Sequence, residues 1–436
     1  CSCDWSSDVC SSDLVVRGAD GQPSADLFYT AYFAKDGDRD RPLSFVWNGG
    51  PGADSRLLHF EAMGPRIVSA GEWADNPNTV LIASDLVFLD PAGTGFSRAR
   101  SEQDAAALYS TMGDIAATSG FIQRFREVHA RRNSPLFLFG ESFGTWRAGG
   151  TAEMLAEEGV PISGMGLISG GIPLGDEGDR ALTRALSLPN RTATALALGR
   201  LDPELHAKGE AVLEEAEEWA REVWYPALAA PGSLNPAQKE TIALALARWH
   251  AIPPSMIDRE TMWVSPRDFR NGLIEGKVLD VFDMRRMVSD AGDDSADAIV
   301  SYYRDTLGYR DGLYAGVETD APDVGGNWQY DQAPITEESL ARAMAGEGPP
   351  SPSQPWTRRV MRELPEMRTF VAAGLYDSFN SCAANEATVA SLSEHIADRI
   401  ALHCYAGGHM MYDTPALRRQ FGADVIAFLR NSDDAR

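Results

Sequence analysis

Six short apolar runs, each ending in a glycine or a polar turn, decide which architectures are open to this chain. They occupy residues 43–47, 85–89, 135–139, 165–169, 369–373 and 400–405. Most are followed by a helical pattern, and this alternation is typical of a mostly parallel sheet flanked by helices. Near-continuous apolarity indicates strands that are buried on both faces. The expected fold class is therefore α/β.

A long helical block interrupts this rhythm. Residues 176–326 are rich in Ala, Leu and Glu with helical periodicity, and strands resume only near residue 369. We interpret residues 15–175 and 327–436 as two parts of one core, and residues 176–326 as a lid or cap inserted between them. The Pro/Gly/Ser-rich residues 346–355 are expected to form an exposed loop that returns to the core.

The N-terminal segment differs in composition from everything after it. Residues 1–14 are rich in Ser, Asp and Cys, and they lack the basic start and the apolar run of a secretory signal. They resemble a translated sequencing-adapter fragment, so we expect a non-native segment outside the fold, with any signal peptide not visible. Residues 26–34 then alternate like an antiparallel edge strand, which turns at residues 35–38.

Charge and hydropathy restrict the partners. The 436 residues carry 63 acidic and 39 basic side chains, a formal net charge of −24, which repels nucleic-acid phosphates and anionic lipid headgroups. No run of about eighteen apolar residues could cross a bilayer. We therefore expect neither a nucleic-acid nor a membrane partner, and no cofactor motif is present. The oligomeric state is not encoded in any pattern we find.

The nucleophile candidate is Ser142. It lies in Gly140-Glu141-Ser142-Phe143-Gly144, between an apolar strand and a segment compatible with a helix. A G-x-S-x-G turn in this setting holds a serine hydroxyl toward substrate, and its glycines are needed because the turn is sharp. The alternative is a surface serine in an ordinary glycine turn.

A serine nucleophile needs a base and a carboxylate that orients the base. Of the seven histidines, His409 stands in a glycine turn after the last strand, whereas five lie in helical sequence and His403 lies within a strand. Asp377 follows the strand at 369–373, at the sheet edge where α/β proteins place functional groups. The order Ser142, Asp377, His409 is that of α/β hydrolases. A metal site at His403, Cys404 and His409 is disfavoured, since no second ligand group has suitable spacing.

Two further features surround these residues. Trp47-Asn48-Gly49-Gly50-Pro51-Gly52 follows the first strand and offers backbone N–H groups for an oxyanion hole. It lacks the lysine and the serine or threonine of a phosphate-binding loop. Cys382 lies five residues after Asp377, and Cys404 lies five before His409. A disulfide between them is one possibility and two separate buried thiols are the other.

Four motifs together resemble the serine carboxypeptidase family: W-N-G-G-P-G at Trp47, D-P-A-G-T-G-F-S at Asp90, G-E-S-F-G at Gly140 and G-G-H-M at Gly407. The resemblance implies an α/β-hydrolase fold, a peptide substrate and no cofactor or metal. It assigns the oxyanion hole to the backbone of Gly50 and Phe143, and binding of the substrate's terminal carboxylate to Asn48, Glu141 and Glu61. Glu61 and Glu141 are expected to share a proton, which favours activity at acidic pH.

The resemblance is incomplete. Ala53-Asp54-Ser55 stands where better-known members carry a cysteine and paired serines, so their disulfides do not transfer, and the elbow has Phe143 where tyrosine is common. An esterase or acyltransferase on the same triad, or a non-catalytic binding relative, stays open. The family and the possible disulfide both favour export to the periplasm or the extracellular space.

Overall fold

The computed structural model of the chain describes residues 3–4, 7–35, 37–69, 71–176, 178–288 and 295–431. Its strands are β1 (Cys3–Asp4), β2 (Ser7–Arg17), β3 (Pro23–Ala34), β4 (Leu43–Trp47), β5 (Arg66–Ser69), β6 (Glu72–Asp75), β7 (Asp85–Leu89), β8 (Arg98–Ala99), β9 (Leu136–Glu141), β10 (Gly164–Ile168), β11 (Arg368–Gly374) and β12 (Ile400–Tyr405).

The α-helices are α1 (Glu102–Leu108), α2 (Thr111–Val128), α3 (Gly144–Glu157), α4 (Arg180–Ala185), α5 (Leu188–Ala197), α6 (Pro203–His206), α7 (Ala211–Trp219), α8 (Tyr225–Ala229), α9 (Pro236–His250), α10 (Pro266–Gly272), α11 (Ala296–Ser301), α12 (Glu337–Met344), α13 (Trp356–Glu363), α14 (Cys382–Ala390), α15 (Glu394–Ala397) and α16 (Pro415–Asn431). A π-helical turn at Leu58–Met63 follows the first parallel strand.

One large mixed sheet organises the core. Its order is β1-β2-β3-β7-β4-β9-β10-β11-β12, with β8 paired to β3. The strands from β7 to β12 along this path pair in parallel, whereas β1, β2 and β3 pair antiparallel. The six apolar runs predicted from the sequence are all strands of this sheet, with ends displaced by no more than two residues. The predicted α/β-hydrolase class is confirmed.

The N-terminal side of the sheet differs from the expectation. The prediction that residues 26–34 form the edge strand is wrong, because β2 pairs with β3 on the side away from β7. Ser7–Arg17 supplies this outer strand, so part of the segment set aside as non-native is placed within the sheet. Residues 1–2 and 5–6 of that segment lie outside the described residues.

Helices cover both faces of the parallel strands. On one face, α2, α3 and α13 pack on the sheet through a cluster that includes Phe121, Phe125, Leu155 and Val360. On the other face, α16 packs through Phe421, Val425, Phe428 and Leu429. Because both faces are covered, the strands can be apolar along their whole length, as their sequences are. The carboxyl ends of these strands meet at one edge.

The helices predicted to form a lid, which we call the helical layer, lie between β10 and β11 in the sequence, although these two strands are paired in the sheet. Helices α4–α10 share an apolar cluster of their own, built around Trp224, Met262, Val264 and Phe269. Helical structure continues past residue 326 to α12, and residues 346–355 are an irregular connection to α13. Among the described helices, none is long and apolar enough to cross a membrane.

Candidate active site

The nucleophile elbow joins β9 to α3. Ser142 has φ of 57°, a left-handed conformation that a non-glycine residue adopts at a cost of about 1 to 3 kcal/mol. A Cβ at Gly140 would lie 1.9 Å from the carbonyl oxygen of Gly144, so only glycine fits at that position. The turn therefore presents the Ser142 side chain at the carboxyl edge of the sheet, as the sequence predicted.

Asp377 and His409 form a buried pair at the same edge. His409 donates from Nδ1 to Oδ2 of Asp377 at 2.8 Å, and the two residues are 2% and 1% exposed. Asp377 also accepts from the amide N–H of Phe379 and from Nδ2 of Asn380. These bonds fix the carboxylate, which in turn fixes the imidazole with Nδ1 protonated and Nε2 available.

The second ring nitrogen of His409, Nε2, is buried and makes no hydrogen bond to the described residues. Burial lowers the pKa of His409, but the Asp377 carboxylate, through its charge and hydrogen bond, and the Glu141 carboxyl, through its charge, raise that pKa above its ordinary value. Unpaired base nitrogens are common in active sites without substrate, where the catalytic hydrogen bond tightens on binding.

Neighbouring backbone brings the base and the nucleophile to the end of β10. Ser169 donates from its hydroxyl to the carbonyl oxygen of His409 at 2.6 Å. The amide N–H of Ser142 donates to the carbonyl oxygen of Ile168, the residue just before. Ser142 and His409, which are far apart in sequence, are thus hydrogen-bonded to adjacent residues at the end of one strand.

A segment of the helical layer covers the base. The amide N–H of His409 donates to the carbonyl oxygen of Phe282 at 2.6 Å, and a Cβ at Gly408 would lie 2.6 Å from that same oxygen. The rings of Phe282 and Phe379 lie 5.3 Å and 5.7 Å from the imidazole. Two aromatic rings therefore shield the pair from solvent, which strengthens its electrostatic interactions.

The glycine-rich loop after β4 lies directly against the elbow. A Cβ at Gly49 would be 2.5 Å from the amide nitrogen of Phe143, so the loop backbone approaches as closely as glycine permits. Phe143 caps the N-terminus of α3, where N–H groups lack partners within the helix and the helix dipole is positive. The arrangement brings the loop that contains Gly50 beside the N–H of Phe143, and it suits stabilisation of a negative oxygen.

A buried polar network connects this loop to Glu141. Asn48 donates from Nδ2 to Oε1 of Glu141 at 2.7 Å, and Tyr412 donates from its hydroxyl to Oε2 at 2.6 Å. Burial raises the pKa of Glu141, which is 3% exposed, although the His409 charge and both hydrogen bonds oppose this shift. Tyr412 was not identified from the sequence; its position three residues after His409 was the only signal.

Arg147 binds the backbone of the same loop. It donates from Nη1 to the carbonyl oxygen of Asn48 at 2.8 Å, and its Nε pairs with Asp114 at 2.7 Å in a fully buried salt bridge. Sequence reasoning missed both residues, because a charged side chain at the start of a helix gives no sign that it is buried. Arg147 is a positioning residue for the Asn48 loop.

Glu61 lies on the π-helical turn Leu58–Met63 and is partly buried. Together with His409, Gly408 and Met410 it lines a cavity of about 340 Å³, which we call the base cavity. Its charge contributes to raising the pKa of Tyr412, behind burial and Glu141. Arg418 donates to its carbonyl oxygen. The structure places Glu61 near the Glu141 network, and sharing of a proton with Glu141 stays a prediction.

Cys382 and Cys404 are joined by a disulfide, with their Cα atoms 5.7 Å apart. The bond links the start of α14, just after the Asp377 loop, to β12, just before the His409 turn. Because the two sulfur atoms are bonded to each other, the alternative of two separate buried thiols is wrong. The acid and base loops are thereby connected covalently.

Comparison with known proteins supports the resemblance. Residues 16–152 match the family model described as serine carboxypeptidase. Over 129 residues the chain is 33% identical to serine carboxypeptidase-like 50 from Arabidopsis thaliana, covering 28% of each chain. Over 92 residues it is 40% identical to the pheromone-processing carboxypeptidase KEX1 from Saccharomyces cerevisiae, covering 19% of this chain and 12% of the yeast protein.

The solved structures extend the likeness over the whole fold. The crystal structure of Kex1(delta)p, a prohormone-processing carboxypeptidase from Saccharomyces cerevisiae, covers 97% of this chain and 91% of its own, with a TM-score of 0.56 at 15% identity. The predicted resemblance to serine carboxypeptidases is confirmed for residues 16–152, which include Ser142. Asp377 and His409 lie outside that match, so their roles depend on the geometry above.

Proposed function

We propose that the chain is a serine-type carboxypeptidase that removes the C-terminal residue from peptides through an acyl-enzyme. One observation supports this above all: the Asn48–Glu141–Tyr412 network lies beside the elbow and the glycine loop. Buried amide and carboxyl groups in the residue before the proposed nucleophile and in the adjoining glycine loop suit a substrate with a free carboxylate. A simple ester offers no free carboxylate for these groups to bind.

In the acylation step, Nε2 of His409 takes the proton from Oγ of Ser142 as that oxygen attacks the scissile carbonyl carbon. The N–H groups of Gly50 and Phe143 donate to the resulting oxyanion, each contributing roughly 3 kcal/mol. The tetrahedral intermediate collapses as His409 protonates the departing amine. Water then attacks the acyl ester with His409 again as base, which releases the shortened peptide and restores Ser142.

The terminal carboxylate of the substrate is bound by Asn48 and by Glu141 in its protonated form, with Glu61 sharing that proton. Because burial raises the pKa of Glu141, its protonated form persists to higher pH than in an exposed glutamate. Deprotonation as the pH rises converts the donor into a charge that repels substrate. Peptide turnover therefore declines toward alkaline pH.

The decline of peptide turnover at low pH has a different origin. His409 must be neutral to accept a proton, and its raised pKa means that it protonates early as the pH falls. Protonation of Glu141 removes one of the charges that raise the His409 pKa, so the two titrations are coupled. Peptide turnover is therefore expected to fall on the acid side as His409 becomes protonated and on the alkaline side as Glu141 becomes deprotonated.

The test compares an N-blocked dipeptide that has a free C-terminus with the same dipeptide amidated, between pH 4 and pH 8, for the protein and its Ser142→Ala variant. Ser142-dependent release of the C-terminal residue, with preference for the free acid below neutrality, is expected. Equal cleavage of both peptides, or turnover of simple esters alone, would instead identify an esterase. The Cys382–Cys404 disulfide supports export to an oxidising compartment as part of this proposal.

A further inference from the structure

A second cavity, of about 220 Å³, lies between the helical layer and the Asp377 loop. Four arginines line it, and we call it the arginine cavity: Arg180, Arg184, Arg191 and Arg342. Among the described residues that line it, two are acidic, Glu347 and Asp377. The chain has a formal net charge of −24, whereas the side chains that line this cavity include more basic than acidic groups.

The four arginines are incompletely neutralised. Arg184 pairs with Glu347 at 3.0 Å, and Asp377 is paired with His409. Arg191 is 4% exposed, and its described hydrogen bonds go to the carbonyl oxygen of Val264 and to the ring of His250. Burial accordingly lowers the pKa of Arg191 to about 9. A buried guanidinium without a carboxylate partner favours an anion nearby.

Arg342 stands at the cavity wall formed by α12. Its Nη1 lies 3.7 Å from Oδ1 of Asp176, a carboxylate that is mostly exposed, and its Nε is buried without a hydrogen-bond partner among the described residues. Arg180 pairs with the same aspartate and with the exposed Glu338. Exposed ion pairs contribute little, so both arginines can turn to a ligand at small cost.

Asn190, which also lines the cavity, has an acceptor without a partner among the described residues. Asn190 is 2% exposed and donates from Nδ2 to the carbonyl oxygens of Gly374 and Asn380, while its Oδ1 has no partner among the described residues. Buried polar atoms are rarely left unpaired, so this oxygen indicates a missing donor. A peptide N–H supplies such a donor, whereas an inorganic anion does not.

The position of the cavity relates it to the scissile bond. Asn380 lines it, and Nδ2 of Asn380 donates to the carbonyl oxygen of Ser169 at 2.6 Å, one residue from the anchor of Ser142. The base cavity, with Glu61, flanks the His409 end of the catalytic pair, and the two cavities share no lining residue. If the leaving residue binds near Asn48 and Glu141, the arginine cavity receives the residue on the other side of the bond.

We propose that the arginine cavity selects peptides with an acidic side chain immediately before the residue that is removed. This inference rests on the proposed function and names its substrate class. The carboxylate pairs with Arg342 and Arg180, and the peptide N–H of that residue donates to Asn190. Charge-assisted bonds of this kind favour Glu over Gln by roughly 10- to 100-fold.

The test measures kcat/KM at about pH 5.5, where a glutamate of ordinary pKa is mostly ionised. Three N-blocked dipeptides carry Glu, Gln or Leu before a common C-terminal residue. We expect the Glu peptide to be preferred over the Gln peptide by roughly 10- to 100-fold. Arg342→Gln is expected to lower turnover of the Glu peptide alone, and Arg342→Lys to restore part of it. Arg221→Gln, at an exposed arginine that also pairs with a glutamate but does not line the cavity, serves as the matched control.

Equal turnover of the Glu and Gln peptides, or a Glu preference unchanged by Arg342→Gln, would overturn the inference while leaving the carboxypeptidase proposal standing. If none of the three is hydrolysed, the proposed function fails. Calorimetric binding of the Glu and Gln peptides to the protein then decides the preference of the cavity. Tighter binding of the Glu peptide that Arg342→Gln abolishes supports it, and equal binding contradicts it.

Discussion

The Asp377–His409 pair and the Asp424–His403 pair both join a carboxylate to an imidazole near the last strand of the sheet, yet their surroundings differ. In the first, the side chains are at most 3% exposed and the atoms lie 2.8 Å apart. In the second, the side chains are 30% and 28% exposed and 3.4 Å apart. The pKa of His409 is raised, whereas that of His403 is lowered because burial outweighs Asp424.

The two pairs differ in their position relative to the end of the strand and in the bonds that their carboxylates make. His403 lies within β12, and Asp424 divides its bonding between His403 and the hydroxyl of Tyr405. His409 lies in the glycine turn beyond the strand end, and the bonds that Asp377 receives hold it toward His409. Spacing alone would not separate the two pairs, but position relative to the strand end does.

The largest expected effect separates the two pairs by mutation. Asp377→Asn should lower kcat/KM for peptide release by about 10⁴-fold, because the asparagine no longer holds His409 in the required tautomer. Asp424→Asn, the matched control, should leave kcat/KM within about twofold, because the described bonds of Asp424 go to His403 and Tyr405 and not to Ser142, Asp377 or His409. Steady-state kinetics on one peptide measures both. Comparable losses in the two variants would show that the pairs are not distinct in function.

A smaller effect concerns the disulfide between the two pairs. Replacing Cys382 and Cys404 together by alanine opens a loop of 22 residues and should reduce the free energy of unfolding by about 3 kcal/mol. Because the bond connects the Asp377 loop to β12, the variant should lose activity at a lower urea concentration than the protein that keeps the disulfide. Urea unfolding followed by fluorescence gives the stability. Cys10→Ala, at a free thiol, is the control, and an equal loss there would remove the disulfide as the cause.

The smallest effect concerns the charge of Glu141. Its carboxylate helps to raise the pKa of His409 but is not among the groups that shift His403. Glu141→Gln removes this charge, so it should lower the His409 pKa and leave the His403 titration in place. The glutamine N–H also donates at every pH, so the alkaline decline should weaken. Titration of the histidine ring resonances by NMR, beside the pH–rate profile, measures both changes.

A His409 titration that stays in place in Glu141→Gln would show that the charge of Glu141 does not act on the His409 ring. A His403 titration that moves as far as that of His409 would show that the substitution disturbs the whole region. Either result would weaken the proposed link between recognition of the carboxylate and the protonation state of the base.

The parts of the molecule that the sequence predicts best are those that the backbone dictates. Buried parallel strands are apolar throughout, and strand ends with glycine turns mark where Ser142, Asp377 and His409 emerge. These local patterns can be read from the sequence without knowledge of tertiary contacts. The same reasoning placed His403 inside β12, where its side chain packs beside Phe370.

Other features depend on contacts between distant segments, which leave no local pattern. Tyr412 and Arg147 support the Asn48–Glu141 network through single hydrogen bonds to Glu141 and to the Asn48 carbonyl oxygen, respectively. The arginine cavity gathers side chains from α4, α5 and α12, each unremarkable in its own helix. Composition likewise gave no hint that residues 7–17 complete the antiparallel side of the sheet, since pairing with β3 requires only extended backbone.

The most direct test of the proposed catalytic centre is covalent labelling with a fluorophosphonate, followed by mapping of the adduct by mass spectrometry. Ser142 activated by His409 and Asp377 should be the labelled residue, and Asp377→Asn should slow the labelling strongly while Asp424→Asn does not. An adduct at another residue, or labelling of Ser142 at the same rate in both variants, would contradict the assignment of this serine, histidine and aspartate as a catalytic triad.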